Sequence, residues 1–372
     1  MTTLQTEFTE AELLEGHEVA EPVVVDGLRC HGGFLDDGTY VSPRTKNRVP
    51  AIEAWERQRL EQFSTPLLEV PFEAMPPNFP SVDQSKFLIA NGVPEPTIAA
   101  LTRIGTLEGF AGMLRLLPTP DYEKCFEEDI TGTAISHIAN GLFEAHARDE
   151  SGYDGQAGHD QMWFKSRDIA FENPLAEDEN AKWLSWLGLI PASGEQGANL
   201  PMKADDFSDR VLPDDVDADL ELVATRMIGL LFIEVWAFHS FDWASGVLSD
   251  KELVAGEGSA ATLVDYIRRD ESPHIAWLRT ALSEMRDRTW VGASGRTYPG
   301  SEMLQRLWDK TMRNSVIVRR QANLDVAMGM VVQALEDRSD GVDLLEQMLS
   351  MGTVIRREDG SPIDTAFAGS YG

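Results

Sequence analysis

The most constraining feature of the sequence is a long apolar stretch at residues 222–238, whose only charges are Arg226 and Glu234. Its most apolar part, residues 227–238, is about half of a membrane span. A helix that is apolar on every side is a buried helix. Glu234 is therefore expected inside the protein, where an isolated carboxylate is costly unless it is neutralised, paired or bound to a metal ion.

A weak internal repeat relates this stretch to an earlier part of the chain. The residues around Glu108 and around Glu234 both read apolar, Glu, any residue, aromatic, Ala. Further along, a four-residue motif, RDES, occurs at residues 148–151 and again at 269–272. Two matches in the same order predict a duplicated helical hairpin, with one buried Glu on each of four helices.

The second RDES motif continues into a pair of residues that suits metal binding. Glu271 and His274 are three residues apart, so a helix places the carboxylate and the imidazole side by side. A single Glu-x-x-His is common by accident, and a single buried Glu is often paired with an arginine, here Arg103 or Arg115. The combination of this pair with the repeat favours a metal site over both alternatives.

This order of residues resembles the ferritin-like di-iron or di-manganese carboxylate proteins, in which two helices each supply one Glu and two supply Glu-x-x-His. The resemblance covers about residues 95–288. It implies a set of metal ligands and orienting carboxylates: Glu150 and Glu271 as bridges, Glu108 and Glu234 as terminal ligands, His274 as an imidazole ligand, and Asp149 and Asp270 as acceptors that orient ligand histidines.

The first half of the repeat lacks its histidine, because Tyr153 stands at the matching position. The missing imidazole is expected from His146, one helical turn before Glu150, or from His159, which follows a glycine-rich turn. Helix geometry favours His146, and only one of the two is expected to bind metal. If neither does, Tyr153 or water completes an asymmetric site. The remaining histidines are not expected to be ligands: His17, His31, His137 and His239.

The hydrophobic periodicity predicts an all-α protein. The predicted architecture is a ferritin-like four-helix bundle with a crossover connection, extra C-terminal helices and a small β-containing N-terminal extension. The extension, residues 1–90, combines one or two hairpins at 21–42 with a proline-rich connector at 66–80. The bundle covers residues 91–290 and the C-terminal helical extension residues 291–372. The predicted helices are residues 96–117, 122–150, 158–171, 217–248, 260–288 and 301–336.

Net charge and cysteine content limit which binding partners and which cellular compartment are expected. The formal net charge of −30 argues against nucleic acid and anionic membranes, because the field of the protein repels phosphates. Cys30 and Cys125 are too few for a disulfide framework, and the acidic N-terminus is unlike a signal peptide. We therefore expect a cytoplasmic protein with small-molecule partners. The helix predicted at 301–336 offers an apolar stripe either to the bundle or to a second subunit in a homodimer.

The resemblance implies oxygen chemistry. Carboxylate and imidazole ligands suit two iron ions, or manganese and iron, whose redox change can reduce dioxygen. The function it implies is an oxidase or oxygenase that acts on a small organic substrate in a buried apolar pocket, with an electron-donor protein as a further partner. Two alternatives remain: a ferroxidase or iron-storage protein, and a metal-free or mono-metal protein with a binding or assembly role.

Overall fold

The computed structural model describes residues 5–172, 174, 210–352, 355–356 and 362–363. Over these residues the chain is mostly helical, with a small antiparallel sheet near the N-terminus. The α-helices in chain order are α1 (Glu10–Leu13), α2 (Arg48–Phe63), α3 (Val82–Ala90), α4 (Glu95–Ala111), α5 (Tyr122–Cys125), α6 (Ala134–His137), α7 (Phe143–Ser151), α8 (His159–Ala170), α9 (Ala218–Leu248), α10 (Ser259–Asp287), α11 (Gly300–Met312), α12 (Arg319–Leu335) and α13 (Gly341–Ser350). The strands are β1 (Glu21–Val25), β2 (Leu28–Phe34), β3 (Tyr40–Val41), β4 (Thr289–Val291), β5 (Thr297–Pro299), β6 (Ile355–Arg356) and β7 (Pro362–Ile363).

The N-terminal sheet is built from two consecutive hairpins, β1 with β2 and β2 with β3. Asp26 and Gly27 form the first turn with φ of +47° and +78°. A two-residue turn with positive φ at both positions matches the right-handed twist of the flanking strands, and Asp-Gly is a preferred pair there. The hairpins predicted at residues 21–42 are confirmed.

The longest helices follow the predicted periodicity closely, but the helix predicted over residues 122–150 is wrong in its first half. That region contains the short helices α5 and α6, then a π-helical turn, Ile138–Leu142, before α7 begins. Gly141 has φ of +130°, and a Cβ there would lie 3.0 Å from Leu13 Cβ. The helix is interrupted at this point, where α1 packs closely against the backbone.

Helix α2 lies in the region predicted to hold only hairpins and a connector. Its buried face includes Arg48 and Arg59 beside Ala51, Ile52 and Trp55. Arginines on the buried face leave no continuous apolar stripe, and such a stripe is the sequence signal for an amphipathic helix. The predicted connector at residues 66–80 is irregular except for one short 3₁₀ helix, Phe72–Ala74.

The helices that flank the candidate site pack in a chain of contacts. Helix α4 contacts α7 and α8, α8 contacts α10, and α10 contacts α9, α2 and α11. The main hydrophobic core lies along α9 and α10, with these side chains among its members: Val223, Met227, Ile228, Leu231, Trp277, Leu278, Ala281 and Leu282. Among the described helices, none combines the length and the hydropathy that crossing a membrane requires. Most of the predicted crossover at 174–216 lies outside the described residues.

The segment that follows β3 lies along α10 next to a proline in that helix. Pro273 has no backbone N–H, so the carbonyl of Arg269 loses its helical hydrogen bond. The hydroxyl of Ser42 donates to that carbonyl at 3.4 Å. The N-terminal segment is thereby fixed against the turn of α10 that carries Asp270 and Glu271.

Candidate metal centre

Six buried side chains from four helices converge at one place in the helical core. They are His146 and Glu150 on α7, His159 at the start of α8, Glu234 on α9, and Glu271 and His274 on α10. Two overlapping groups can be drawn among them: His146, Glu150, Glu234 and His274, and Glu150, His159, Glu271 and His274. Within each group the candidate ligand atoms lie within 4.8 Å of one another, so either group could hold a metal ion.

A tight loop between α7 and α8 returns His159 to Glu150. Gly152 ends α7 with φ of +79°, which favours glycine. A Cβ on Gly158 would lie 2.2 Å from the backbone N of Gly152, so the two ends of the loop approach too closely for any other residue. The backbone N–H of Ala157 donates to the carbonyl of Arg29 in β2 at 2.8 Å. The turn thus returns His159 to Glu150, which is one of the two alternatives that the sequence left open.

His159 and His274 face the two central glutamates in the same way. Nδ1 of His274 lies 2.7 Å from Glu271 Oε2 and 3.1 Å from Glu150 Oε1. Nδ1 of His159 lies 3.0 Å from Glu271 Oε1 and 3.3 Å from Glu150 Oε1. The two oxygens of Glu271 thus face different imidazoles, which is the arrangement a carboxylate needs to bridge two ions.

Asp149 orients His274 and is held by two arginines. Its Oδ2 lies 3.0 Å from His274 Nε2 and accepts from Arg48 Nη2 at 2.7 Å, while Oδ1 accepts from Arg44 Nε at 2.7 Å. Burial raises the pKa of Asp149, but the two guanidiniums outweigh it and hold that pKa well below its usual range. The ionised carboxylate accepts the Nε2 proton of His274, so the Nδ1 lone pair faces the cluster.

Asp270 occupies the corresponding position for His159. Its Oδ2 lies 3.7 Å from His159 Nε2, and its Oδ1 accepts a hydrogen bond from the hydroxyl of Tyr40 at 2.6 Å. Both aspartates therefore lie behind a histidine that belongs to the other half of the repeat. They differ in their other partners, because Asp149 has two cationic donors and Asp270 has a neutral one.

His146 approaches the cluster from the side of Glu234. Its Nε2 lies 3.1 Å from Glu234 Oε1 and 3.5 Å from Glu150 Oε1. Its Nδ1 accepts a hydrogen bond from Trp277 Nε1 at 3.2 Å, and its ring stacks on His274 with the centroids 3.7 Å apart. Burial raises the pKa of Glu234, but the interactions with His146 outweigh burial and lower that pKa to about 2.

Glu108 lies at the edge of the cluster and belongs to neither four-residue group. Its Oε1 accepts a hydrogen bond from Trp163 Nε1 at 3.2 Å. Burial raises the pKa of Glu108, and interactions with Glu150 and His159 lower it in part. The four glutamates of the repeat are therefore close enough to influence one another electrostatically.

Several buried polar atoms of the cluster have no hydrogen-bond partner, and their chemistry fits a bound cation. Among these atoms are both oxygens of Glu150, Nδ1 of His159 and Oε1 of Glu271. Burial and the neighbouring carboxylates raise the pKa of Glu150 and Glu271 well above the usual range of a carboxyl group. Unpartnered buried carboxylates are costly, whereas a metal ion supplies both the missing partner and the opposite charge.

The predicted role of Tyr153 is not supported by its position. Its side chain is 47% exposed, and the guanidinium of Arg148 lies 3.6 Å above its ring, outside the cluster. His146 and His159, of which only one is expected to bind metal, both lie in the cluster. The other histidines have contacts elsewhere: His17 with Thr45, His137 with Phe8, and His239 with Phe72, while His31 contacts the carbonyl of Asp149 behind the cluster.

The residues that support the cluster from behind were not predicted from the sequence. Arg44, Arg48 and Tyr40 come from the N-terminal segment, which carried no sign of contact with the acidic helices. Trp277 carried a usable signal, because it is one helical turn after His274 and shares its face. Comparisons with protein-family models, with curated proteins and with solved structures found no match.

Proposed function

We propose that the protein is an oxygen-activating di-metal carboxylate oxidase or oxygenase, built on a ferritin-like bundle of α4, α7, α9 and α10, with α8 returning His159 to the site. The observation that carries the proposal is the symmetric approach of His159 and His274 to Glu150 and Glu271. Two imidazoles that each present Nδ1 to the same two carboxylates provide two adjacent ligand sets. A single structural ion would not require the second set.

The proposed ligands divide into two sets around the bridging carboxylates. Glu150 and Glu271 belong to both sets, because each lies within 3.3 Å of His159 and of His274. Glu108 completes the set of His159, and the charge of His159 lowers the pKa of Glu108. Glu234 completes the set of His274.

The donor set favours iron or manganese. Carboxylate oxygens are hard ligands and imidazoles are borderline, and together they suit ions that change oxidation state. When bound, two such ions would supply electrons to dioxygen, and the substrate or an electron-donor protein would return them. Of the chain's own residues, Asp149 holds the imidazole of His274 in place, and Asp270 faces the imidazole of His159 at 3.7 Å. The apolar helices around the cluster exclude water, which strengthens the electrostatic interactions inside it.

Iron binding and oxygen uptake test this proposal. Protein purified without oxygen and loaded with Fe²⁺ is expected to hold two ions per chain and to consume dioxygen only when loaded. Glu150→Gln should reduce both quantities. Glu144→Gln is the matched control, because Glu144 lies on the same helix and pairs with Arg148 at 2.6 Å, away from the cluster.

Three results would favour the other functions. Loaded protein that accumulates many iron ions per chain would indicate iron storage. Dioxygen uptake that continues with excess Fe²⁺ as its only reductant, beyond what two bound ions per chain can reduce, would indicate a ferroxidase. A folded chain that binds no iron or manganese would contradict the metal centre and favour a binding or assembly role.

A further inference from the structure

His146 differs from the two other histidines of the cluster in the partner of its outer ring nitrogen. Trp277 Nε1 donates a hydrogen bond to His146 Nδ1 at 3.2 Å, and both side chains are fully buried. An indole nitrogen donates and does not accept, so Nδ1 must present its lone pair. A neutral imidazole carries a single ring proton, which in His146 is then placed on Nε2.

The surroundings of Nε2 in His146 agree with that tautomer. Carboxylate oxygens lie close to Nε2, Glu234 Oε1 at 3.1 Å and Glu150 Oε1 at 3.5 Å, although neither contact has the geometry of a hydrogen bond. A proton on Nε2 is attracted to these oxygens, whereas a lone pair would be repelled by them. The donor on one side of the ring and the acceptors on the other therefore select the same protonation site.

The two other histidines have the opposite arrangement. Nε2 of His274 lies 3.0 Å from Asp149, and Nε2 of His159 faces Asp270 at 3.7 Å. Histidines that bind metal almost always donate their second ring N–H to an acceptor of this kind. His146 has a donor in that place. A metal ion on its Nε2 would force the ring proton onto Nδ1, against the N–H of Trp277.

We propose that His146 binds no metal ion and is instead a positioning residue, whose Nε2 proton faces Glu234 Oε1 at 3.1 Å and attracts that carboxylate. The inference rests on the proposed metal centre, because the orientation of Glu234 matters only if Glu234 is a metal ligand. It also reverses the preference from the sequence, since His159 rather than His146 is the counterpart of His274. The helical spacing that placed His146 beside Glu150 accounts for its presence in the cluster without ligation.

The protonation site of His146 can be measured directly by ¹⁵N NMR of histidine-labelled protein, without metal and after loading with Zn²⁺. Zinc accepts these ligands and undergoes no redox change. We expect His146 to carry its proton on Nε2 in both states, with its signals assigned by their loss in His146→Gln. His159 and His274 should keep Nε2–H and show the changes of Nδ1 ligation on loading.

Zinc stoichiometry in variants provides the second readout. His146→Gln keeps an amide donor close to the place of Nε2, so it should bind as many ions as the unmodified protein with comparable affinity. His146→Leu lacks the donor and should weaken binding by about ten- to hundred-fold, the usual effect of losing an orienting partner. His159→Gln removes a proposed ligand and should bind fewer ions.

Two results would overturn the inference: loss of the Nε2 proton of His146 on zinc loading, or fewer ions bound by His146→Gln. The signals of His146 can be assigned by their loss in either His146→Gln or His146→Leu, so the NMR measurement on unmodified protein stays decisive if one of these variants does not fold. An unmodified protein that binds no Zn²⁺ contradicts the proposed metal centre instead. In that case the tautomer in the metal-free state still shows whether His146 presents its Nε2 proton to Glu234.

Discussion

Glu150 and Glu271 are the residues on which the proposed metal centre depends. Both are fully buried, and burial raises the pKa of each; the charge of Glu271 adds to this effect at Glu150, and the charge of Glu234 adds to it at Glu271. A carboxylate in such a place is stable either as the neutral acid or beside a cation. Without metal, the two carboxyl groups are therefore partly protonated. A divalent ion must displace these protons when it binds.

Glu271→Gln tests this description of the bridging position. The amide has the shape of the neutral acid, so we expect the metal-free variant to be as stable as the unmodified protein within about 1 kcal/mol, or more stable. It should bind neither ion tightly, because Glu271 faces both imidazoles. Urea unfolding of the metal-free protein and metal analysis of the loaded protein give the two quantities. Full metal content in this variant would be incompatible with a bridging role.

The sequence was informative about carboxylates and less so about imidazoles. Glu234 could be found because it is a charge in an apolar helix, and Glu150 and Glu271 because the RDES motif is repeated. The choice between His146 and His159 could not be made, since it depends on the path of a loop and on the indole of Trp277. Neither the loop path nor a tautomer follows from helical spacing.

At the scale of elements, α2 supports a site that it does not line. Its first residue, Arg48, is fully buried and donates to Asp149, which in turn orients His274 on α10. The sequence did not reveal this helix, because its buried face carries arginines. For the same reason, the contact between α2 and the ligand helices could not be predicted.

Arg48→Met should therefore affect both stability and metal binding. Removing one partner of a buried ion pair typically costs about 3–5 kcal/mol, and the remaining pair of Asp149 with Arg44 places the expected loss near the lower end. We expect metal affinity to fall by about ten- to hundred-fold, because His274 loses part of its orientation. Arg57→Met, an exposed site on the same helix, is the control for both measurements. Unchanged metal affinity in Arg48→Met would separate α2 from the site.

The contact between α10 and α6 makes stability depend on pH. Glu284 on α10 accepts the backbone N–H groups of Ala134 and Ile135 at 3.1 and 3.0 Å, and burial raises its pKa from 4.5 to about 7. The folded state thus keeps this proton at a pH where the unfolded state has lost it. The resulting stabilisation is fully present below pH 4.5 and is lost as the pH rises to about 7.

Glu284→Gln should remove this contribution. Between pH 5 and pH 8 the unmodified protein is expected to lose about 2–3 kcal/mol more unfolding free energy than the variant. Urea unfolding at several pH values, with a chelator present in all samples, measures the difference. Identical pH profiles for the two proteins would show that Glu284 titrates alike in the folded and unfolded states.

In the whole molecule, the N-terminal residues and the helices form the site together. Tyr40, Arg44 and Arg48 contact the aspartates behind the ligand histidines, although the sequence suggested an extension that ends near residue 90. The helical class, the N-terminal hairpins and most long helices were predictable because periodicity and turn chemistry are local. How the extension packs against the helices was not, since contacts between buried arginines and aspartates leave no periodic pattern.

Metal binding should stabilise the whole chain, because the ligands come from helices far apart in sequence. An ion that binds only the folded state adds about 2.7 kcal/mol at a free concentration one hundred times its dissociation constant. Thermal unfolding with Mn²⁺, with Fe²⁺ under anaerobic conditions, and with a chelator measures this gain. The gain should disappear in Glu271→Gln and persist in Glu144→Gln. Equal gains in both variants would place the binding site elsewhere.

The most direct test of the central claim is a crystal structure of the metal-loaded protein with anomalous scattering measured at the iron and manganese edges. We expect two anomalous-scattering peaks about 3.5–4 Å apart. Both should lie between Glu150 and Glu271, one next to His159 Nδ1 and the other next to His274 Nδ1. A single peak, or peaks away from these carboxylates, would contradict the central claim.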